Sequence, residues 1–133
     1  MNNRYRRDVK IMTSGLFPQP ASFKEQSRVY DLKSRLDWGE PALTIIDVRD
    51  RATFNHSHIM GAISFPSEEL VARAQANLEA DRDIYVYSDT DEETANAAAR
   101  LREAGFERVA ELTGGLPAWK AAEYPVETTS VPA

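Results

Sequence analysis

The chain contains no cysteine at all. Disulfides, thiolate metal sites and any thiol nucleophile are therefore excluded. Long hydrophobic runs are missing too: nothing approaches the roughly 18 consecutive apolar residues of a membrane helix. No apolar signal segment follows the opening basic residues, so secretion is not expected. Histidine is scarce, with only His56 and His58. A "HSH" pair has no third ligand at a recognisable metal-site spacing, so no metal is expected. Positive charge is also in deficit, with a net of −5, and an acidic body argues against a nucleic-acid surface.

What is present fits one soluble domain. A length of 133 residues is enough to bury a core, and 42% hydrophobic with 28% charged residues is a globular composition. Charge is uneven along the chain. Residues 1–26 carry Arg4, Arg6, Arg7, Lys10 and Lys24 against Asp8 and Glu25, a net of +3, which leaves −8 for the rest. With Pro18 and Pro20 and no sustained periodicity, 1–26 reads as a mobile leader. The domain is expected over 27–126, and 127–133 as a tail, since "PVETTSVPA" has little to pack. A cytoplasmic protein is expected. Organelle targeting by the Arg-rich start is the alternative.

The hydrophobic pattern alternates short apolar runs with helical segments. Ser27 is placed to cap a helix with Val29, Leu32 and Leu36 on one face. "ALTIIDV", "GAISFP", "DIYVYS" and "RVAEL" read as four strands. Ser67 is expected to cap a helix with Leu70, Val71, Ala74 and Leu78 inward. A further helix is predicted over 91–104, with Gly105 as its C′ residue and Phe106 packing back. "TGGLPAW" gives a Gly-Gly turn, with Pro117 suited to the first position of a short helix. Strands and helices in this alternation predict an α/β fold: one domain with a central, mostly parallel sheet flanked by helices on both faces. Trp38 and Trp119 are expected as packing anchors, and Met60 as a surface or filler residue.

"IIDVRDRATFNHSHIMGAISFP" places Asp47-Val48-Arg49 at a strand end and His58-Ile59-Met60-Gly61-Ala62 before the next strand. "AGFERVAELTGGLPAWK" adds Gly114, Gly115 and Trp119. These two stretches resemble the two signatures of the rhodanese-homology domain family, and the resemblance covers about residues 27–126. It implies that the strand at 84–87 leads into a loop which, in active members, opens with a cysteine. That cysteine carries a persulfide sulfur from a donor such as thiosulfate to a thiophilic acceptor. The position matching it here is Ser88, and the loop reads Ser88, Asp89, Thr90, Asp91, Glu92 and Glu93. By the same resemblance Asp47 and Arg49 lie beside the pocket, and His58 belongs to a structural turn.

Two arguments oppose sulfur transfer. No side-chain thiol exists to hold a persulfide. The loop's charge is also inverted: a unit pair near 4 Å interacts by roughly 4 kcal/mol at an effective dielectric of about 20. Several carboxylates thus outweigh the roughly 0.3–1 kcal/mol that a helix dipole offers an anion. Phosphatase chemistry, which in similar proteins needs Cys-x5-Arg, fails at both ends because the spacing runs from Ser88 to Thr94. Catalysis by Ser88 needs a base within hydrogen-bond reach.

The carboxylates have a structural reading. Thr90-Asp91-Glu92-Glu93 matches a capping box in which Thr90 accepts from Glu93 N–H and Glu93 reaches back to Thr90 N–H. Their second reading is a site for a cation or basic peptide. Thr94 and Arg100 stand where a calcium loop has glycine and glutamate, so the EF-hand pattern fails. Asp47 is expected to accept backbone N–H groups, with Arg49 paired to a nearby acid.

The expectation is a non-catalytic protein-binding or regulatory module with no catalytic residue, cofactor, metal or small-molecule substrate, and without nucleic-acid or membrane contact. Its partner would be another protein, basic where it meets the acidic loop. The alternative is a sulfurtransferase-type enzyme that relies on a partner's cysteine.

Overall fold

Strand β5 (Asp83–Tyr87) sets the layers, because Ile84, Tyr85, Val86 and Tyr87 are all buried. Strand alternation sends Ile84 and Val86 into one apolar cluster and Tyr85 and Tyr87 into the other. The computed structural model describes residues 23–39 and 42–129. β5 lies between β2 (Leu43–Asp47) and β6 (Val109–Leu112). β1 (Gln26–Ser27) and β4 (Ile63–Ser64) form the edges. All the pairings of this five-stranded sheet, ordered β1-β6-β5-β2-β4, are parallel.

Helices cover both faces. α3 (Leu70–Asn77) and α4 (Asp91–Glu103) bury Leu70, Ala74, Ala97, Ala98 and Leu101 against one side. α1 (Val29–Trp38), α2 (Arg51–His56) and α5 (Gly115–Ala121) bury Leu32, Phe54, Leu116 and Trp119 against the other. A separate antiparallel pair joins β3 (His58–Ile59) to β7 (Val126–Glu127). The predicted α/β sheet with helices on both faces is the observed one. Among the described residues no helix is long and apolar enough to cross a membrane.

Both expected domain edges need correction. Residues 23–26 are part of the fold: Phe23 packs edge-on to Tyr85 with centroids 5.5 Å apart, and Glu111 N–H donates to Glu25 O. The rest of the expected leader, 1–22, lies outside the described residues. The segment after Tyr124 also has partners. Trp119 Nε1 and Met60 N–H both donate to Pro125 O, and Thr129 N–H donates to Asn55 O. Short segments escape a hydrophobic-period reading because a single apolar side chain such as Phe23 shows no period and backbone hydrogen bonds hold the rest.

Several local expectations change as well. Ser27 lies in β1 and its hydroxyl donates to Arg28 O, so Arg28 is the N-cap of α1 and has no side-chain cap. Ser67 opens a 3-10 turn, Ser67–Glu69, and its hydroxyl accepts from Arg100 Nη1. Pro117 is the third residue of α5 rather than the first. Trp119 is fully buried, but Trp38 ends α1 in an exposed position. Met60 is exposed.

Two helices end in the same six-residue hydrogen-bond pattern. After α4, Gly105 N–H donates to Arg102 O and Phe106 N–H to Leu101 O, with Gly105 at φ 105°. After α5, Glu123 N–H donates to Lys120 O and Tyr124 N–H to Trp119 O, with Glu123 at φ 62°. Both are Schellman motifs, and glycine is the residue that takes this backbone without a Cβ clash. Glu123→Gly should therefore raise the unfolding free energy by about 0.5–1 kcal/mol in urea titration, after the entropy glycine adds to the unfolded chain. A drop in the midpoint at unchanged m-value would contradict this.

Candidate functional site

The carboxyl ends of β2 and β5 lie side by side, with Asp47 in register with Tyr87. The carboxyl edge of an open parallel sheet is where α/β proteins collect ligands. Asp47 is completely buried there, so its charge needs a partner. Arg49 supplies it: Nη2 donates to Oδ2 at 2.6 Å, Nε lies 3.0 and 3.1 Å from the two oxygens, and Arg49 N–H donates to Oδ1 at 2.9 Å. The acid that pairs with Arg49 is thus Asp47 itself. Arg49 Nη2 also donates to Ser57 O at 2.7 Å, and Nη1 faces Asp89 Oδ1 at 3.9 Å.

Tyr87 completes this group: its hydroxyl accepts from Ile59 N–H at 3.1 Å, and the charge of Asp47 acts on it from the neighbouring strand. Burial, then the charge of Asp47, pushes its phenol far above the ordinary value. Burial works against the charge of Arg49, but the hydrogen bonds and charge of Asp47 outweigh it and hold the guanidinium above its ordinary value. Neither group exchanges a proton near neutrality, so the pair anchors the site rather than acting as its acid or base.

The loop begins one residue beyond β5. Ser88 is buried. Its N–H donates to Thr94 Oγ1 at 2.9 Å, and Thr94 Oγ1 donates to Thr90 O at 3.0 Å. Ser88 Oγ reaches Glu93 Oε1 at 3.5 Å, a long contact. A Cβ on Gly115 would come within 2.9 Å of Ser88 O, and Gly115 has φ 52°, so the turn into α5 closes on the Ser88 backbone only with glycine there. Neither histidine serves Ser88 as a base. His56 is exposed, and His58 Nδ1 lies 2.7 Å from Phe54 O with its ring stacked on Phe54 at 3.6 Å.

The four carboxylates take different roles. Thr90 is the N-cap of α4, and its hydroxyl accepts from Glu93 N–H at 3.1 Å. Glu93 does not return the bond to Thr90 N–H; its Oε1 lies 3.2 Å from the Thr90 hydroxyl and 3.5 Å from that of Ser88. Only half of the expected capping box forms, because these hydroxyls are the nearer donors. Asp91 sits in the first turn of α4, yet its Oδ1 accepts at 2.9 Å from the N–H of Gly114, the N-cap of α5. One carboxylate therefore serves two helix starts, both of which carry partial positive charge.

Asp89 and Glu92 are exposed. Asp89 has its long contact to Arg49, and Glu92 has no ion-pair partner among the described residues. Glu92 and Asp91 border a cavity of about 420 Å³ that is also lined by Gln26, Thr94, Glu111 and Thr113. The contribution of Glu111 and the tie between Asp91 and Gly114 were not readable in the sequence. The Gly-Gly pair was the only signal that two backbones meet there. Among the described residues no three His, Asp or Glu side chains converge as metal ligands.

Comparison with known proteins places this geometry. The family model for the rhodanese-like domain matches residues 28–122. The thiosulfate sulfurtransferase GlpE of Shewanella oneidensis is 37% identical over 78 residues, covering 59% of this chain and 76% of that protein. An uncharacterised protein of Synechocystis, slr1261, is 34% identical over 94 residues, covering 70% of this chain; the chain spans about half its length, 52%. Among solved structures, the Alr3790 protein of Anabaena is 59% identical with a TM-score of 0.77, covering 79% of this chain and 94% of that one.

The geometry separates structural from solvent-facing carboxylates. Asp91→Ala should lower stability by about 1.5–3 kcal/mol, the range for a lost hydrogen bond to a charged group. Glu92→Gln should stay within about 0.5 kcal/mol of the parent, as surface changes do. Chemical denaturation of both variants checks this, and equal losses would contradict the division.

Proposed function

The chain belongs to the rhodanese-like domain family, and on that premise we propose that it is a member without the sulfur-carrying thiol, acting as a protein-binding or regulatory module. Ser88 stands where the family's cysteine stands, directly after β5 and ahead of α4. The observation that carries the reading is the hydrogen bond from Gly114 N–H to Asp91. A sulfur-carrier loop keeps backbone N–H groups open to an anionic donor. Here the protein's own carboxylate takes the N-cap N–H of α5, and Asp91, Glu92 and Glu93 fill the first turn of α4.

The scaffold under the loop is retained, while the groups that would bind and activate thiosulfate are replaced. The loop then serves as a surface. Asp89 and Glu92 are its charges that accept no hydrogen bond within the loop, and they suit a protein partner that is basic where it meets them. Such an association weakens as salt is added. The competing reading is sulfur transfer with a partner's cysteine as the carrier, favoured by the sulfurtransferase named among the relatives.

Three measurements test the proposal. The purified chain should show no thiosulfate-to-cyanide turnover above background, and turnover that depends on Ser88 would refute the assignment. Ser88→Cys alone should restore little activity, because the carboxylates stay in place; robust restoration would show that loop charge matters less than claimed. In affinity capture, Asp89→Asn with Glu92→Gln should lose the partner that the parent retains at low salt. Equal capture by parent and variant would remove the loop from the interface.

A further inference from the structure

Residues 125–129 cross the corner between α2 and β3, and every one of them is exposed. Their start is anchored. Tyr124 N–H donates to Trp119 O, and its ring packs edge-on to Trp119 with centroids 5.0 Å apart. Pro125 O accepts from Trp119 Nε1 at 2.7 Å and from Met60 N–H at 3.2 Å. Beyond that anchor the hold is polar. Val126 and Glu127 stand in register with Ile59 and His58. Glu127 Oε1 accepts from Gly61 N–H at 3.1 Å and lies 3.4 Å from His58 Nε2. Thr128 Oγ1 donates to His56 O at 3.1 Å, and Thr129 N–H donates to Asn55 O at 2.9 Å. Thr128 and Thr129 border a cavity of about 510 Å³ with Ala52, Asn55 and His56, so the seam with α2 is not close-packed. Exposed hydrogen bonds with little apolar burial mark a segment that opens without the rest of the domain.

What these residues hold gives the opening a consequence. The last carbonyls of a helix find no donor within it. At the end of α2 the carbonyls of Phe54, Asn55, His56 and Ser57 follow one another, and each meets a different group. Phe54 O lies 2.7 Å from His58 Nδ1, and Ser57 O accepts from Arg49 Nη2 at 2.7 Å. The two between them take their donors from Thr129 and Thr128. The exposed segment and the buried arginine of the site thus fasten neighbouring carbonyls of one short helix end.

We propose that residues 126–129 are a strap that opens and closes as one unit, and that its closing sets the position of Arg49. Closed, the strap holds Asn55 O and His56 O, and the next carbonyl stands where Arg49 Nη2 reaches it while Nη1 stays 3.9 Å from Asp89. Open, the end of α2 frays and Ser57 O turns to water. Arg49 then keeps Asp47 alone and shifts relative to Asp89. The state of the strap reaches the acidic loop in this way, although the strap's own hydrogen bonds end at the α2–β3 corner. The device rests on the fold and not on the role proposed for that loop.

Amide hydrogen exchange of the 15N-labelled chain, followed by NMR, tests the single unit. Gly61 N–H, bonded to Glu127, and Thr129 N–H, bonded to Asn55 O, should be protected within about twofold of each other and less than the amides of β5. Thr128→Val removes one exposed hydroxyl and keeps the side chain's shape. It should lower protection at both amides by about twofold to tenfold, as the loss of one uncharged hydrogen bond does. Glu127→Ala should lower protection at Thr129 in the same way. Protection at Gly61 unchanged by Thr128→Val, or at Thr129 unchanged by Glu127→Ala, would mean that the two ends fray separately and would overturn the strap. The Arg49 Nε–Hε signal tests the coupling, since neither substituted residue touches Arg49. Both variants should displace it in the same direction. A signal that keeps the parent's position while protection falls at Thr129 would overturn the link to Arg49.

Discussion

A negative charge with no access to water sits at the end of β2, and the carboxyl edge of the sheet is arranged around it. Asp47 has no water to solvate it in that position, and removing the partner of a buried pair typically costs about 3–5 kcal/mol. Arg49 meets the requirement from two residues away, and in doing so it extends to Ser57 O and towards Asp89. Tyr87 stands in register with Asp47 on the neighbouring strand and receives Ile59 N–H. One ion pair thus links β2, the α2–β3 corner, β5 and the loop above them. The loop rests on this floor, from which Arg49 Nη1 keeps only its long contact with Asp89.

Above that floor electrostatics decide what the loop can hold. Two helix starts converge on it, an arrangement that favours an anion. Asp91 supplies the anion from within the chain, and Glu93 adds a second carboxylate over the hydroxyls of Ser88 and Thr90. These are covalently attached anions at fixed distance, so a diffusing donor competes with groups that bear no entropy cost of association. The absence of a thiol and the inversion of charge are separate obstacles, and restoring one leaves the other. The remaining acids, Asp89 and Glu92, are exposed, and on the proposed reading they are the ones that meet a partner.

The layers of the fold were legible because they rest on short-range regularities. Runs such as "LTIID" and "DIYVY" have the continuous apolarity of strands buried on both faces, and Gly105 with Phe106 spells out a helix end. The Thr90 cap was legible for the same reason, since donor and acceptor are three residues apart. Long-range polar contacts were not. Asp91 meets Gly114 across 23 residues, and nothing local distinguishes it from Glu92, whose side chain is solvated. The edge pairings of Gln26 and Glu127 were missed because polar residues can complete a ladder without any apolar pattern. The capping-box motif predicts Thr90 N–H as the donor to Glu93, but it carries no sign that the hydroxyls of Thr90 and Ser88 compete for that carboxylate.

The central claim is that the protein's own carboxylates fill the place of the anionic donor, and direct binding of thiosulfate tests it without reference to turnover. In an NMR titration at constant ionic strength, the amides of Ser88, Thr90 and Gly114 should show no saturable shift with thiosulfate in the parent chain. An Asp91→Asn, Glu93→Gln variant should acquire one, because the two carboxylates hydrogen-bonded at the helix starts are then neutral while Asp89 and Glu92 stay in solvent. Saturable binding of thiosulfate at those amides in the parent would contradict the account.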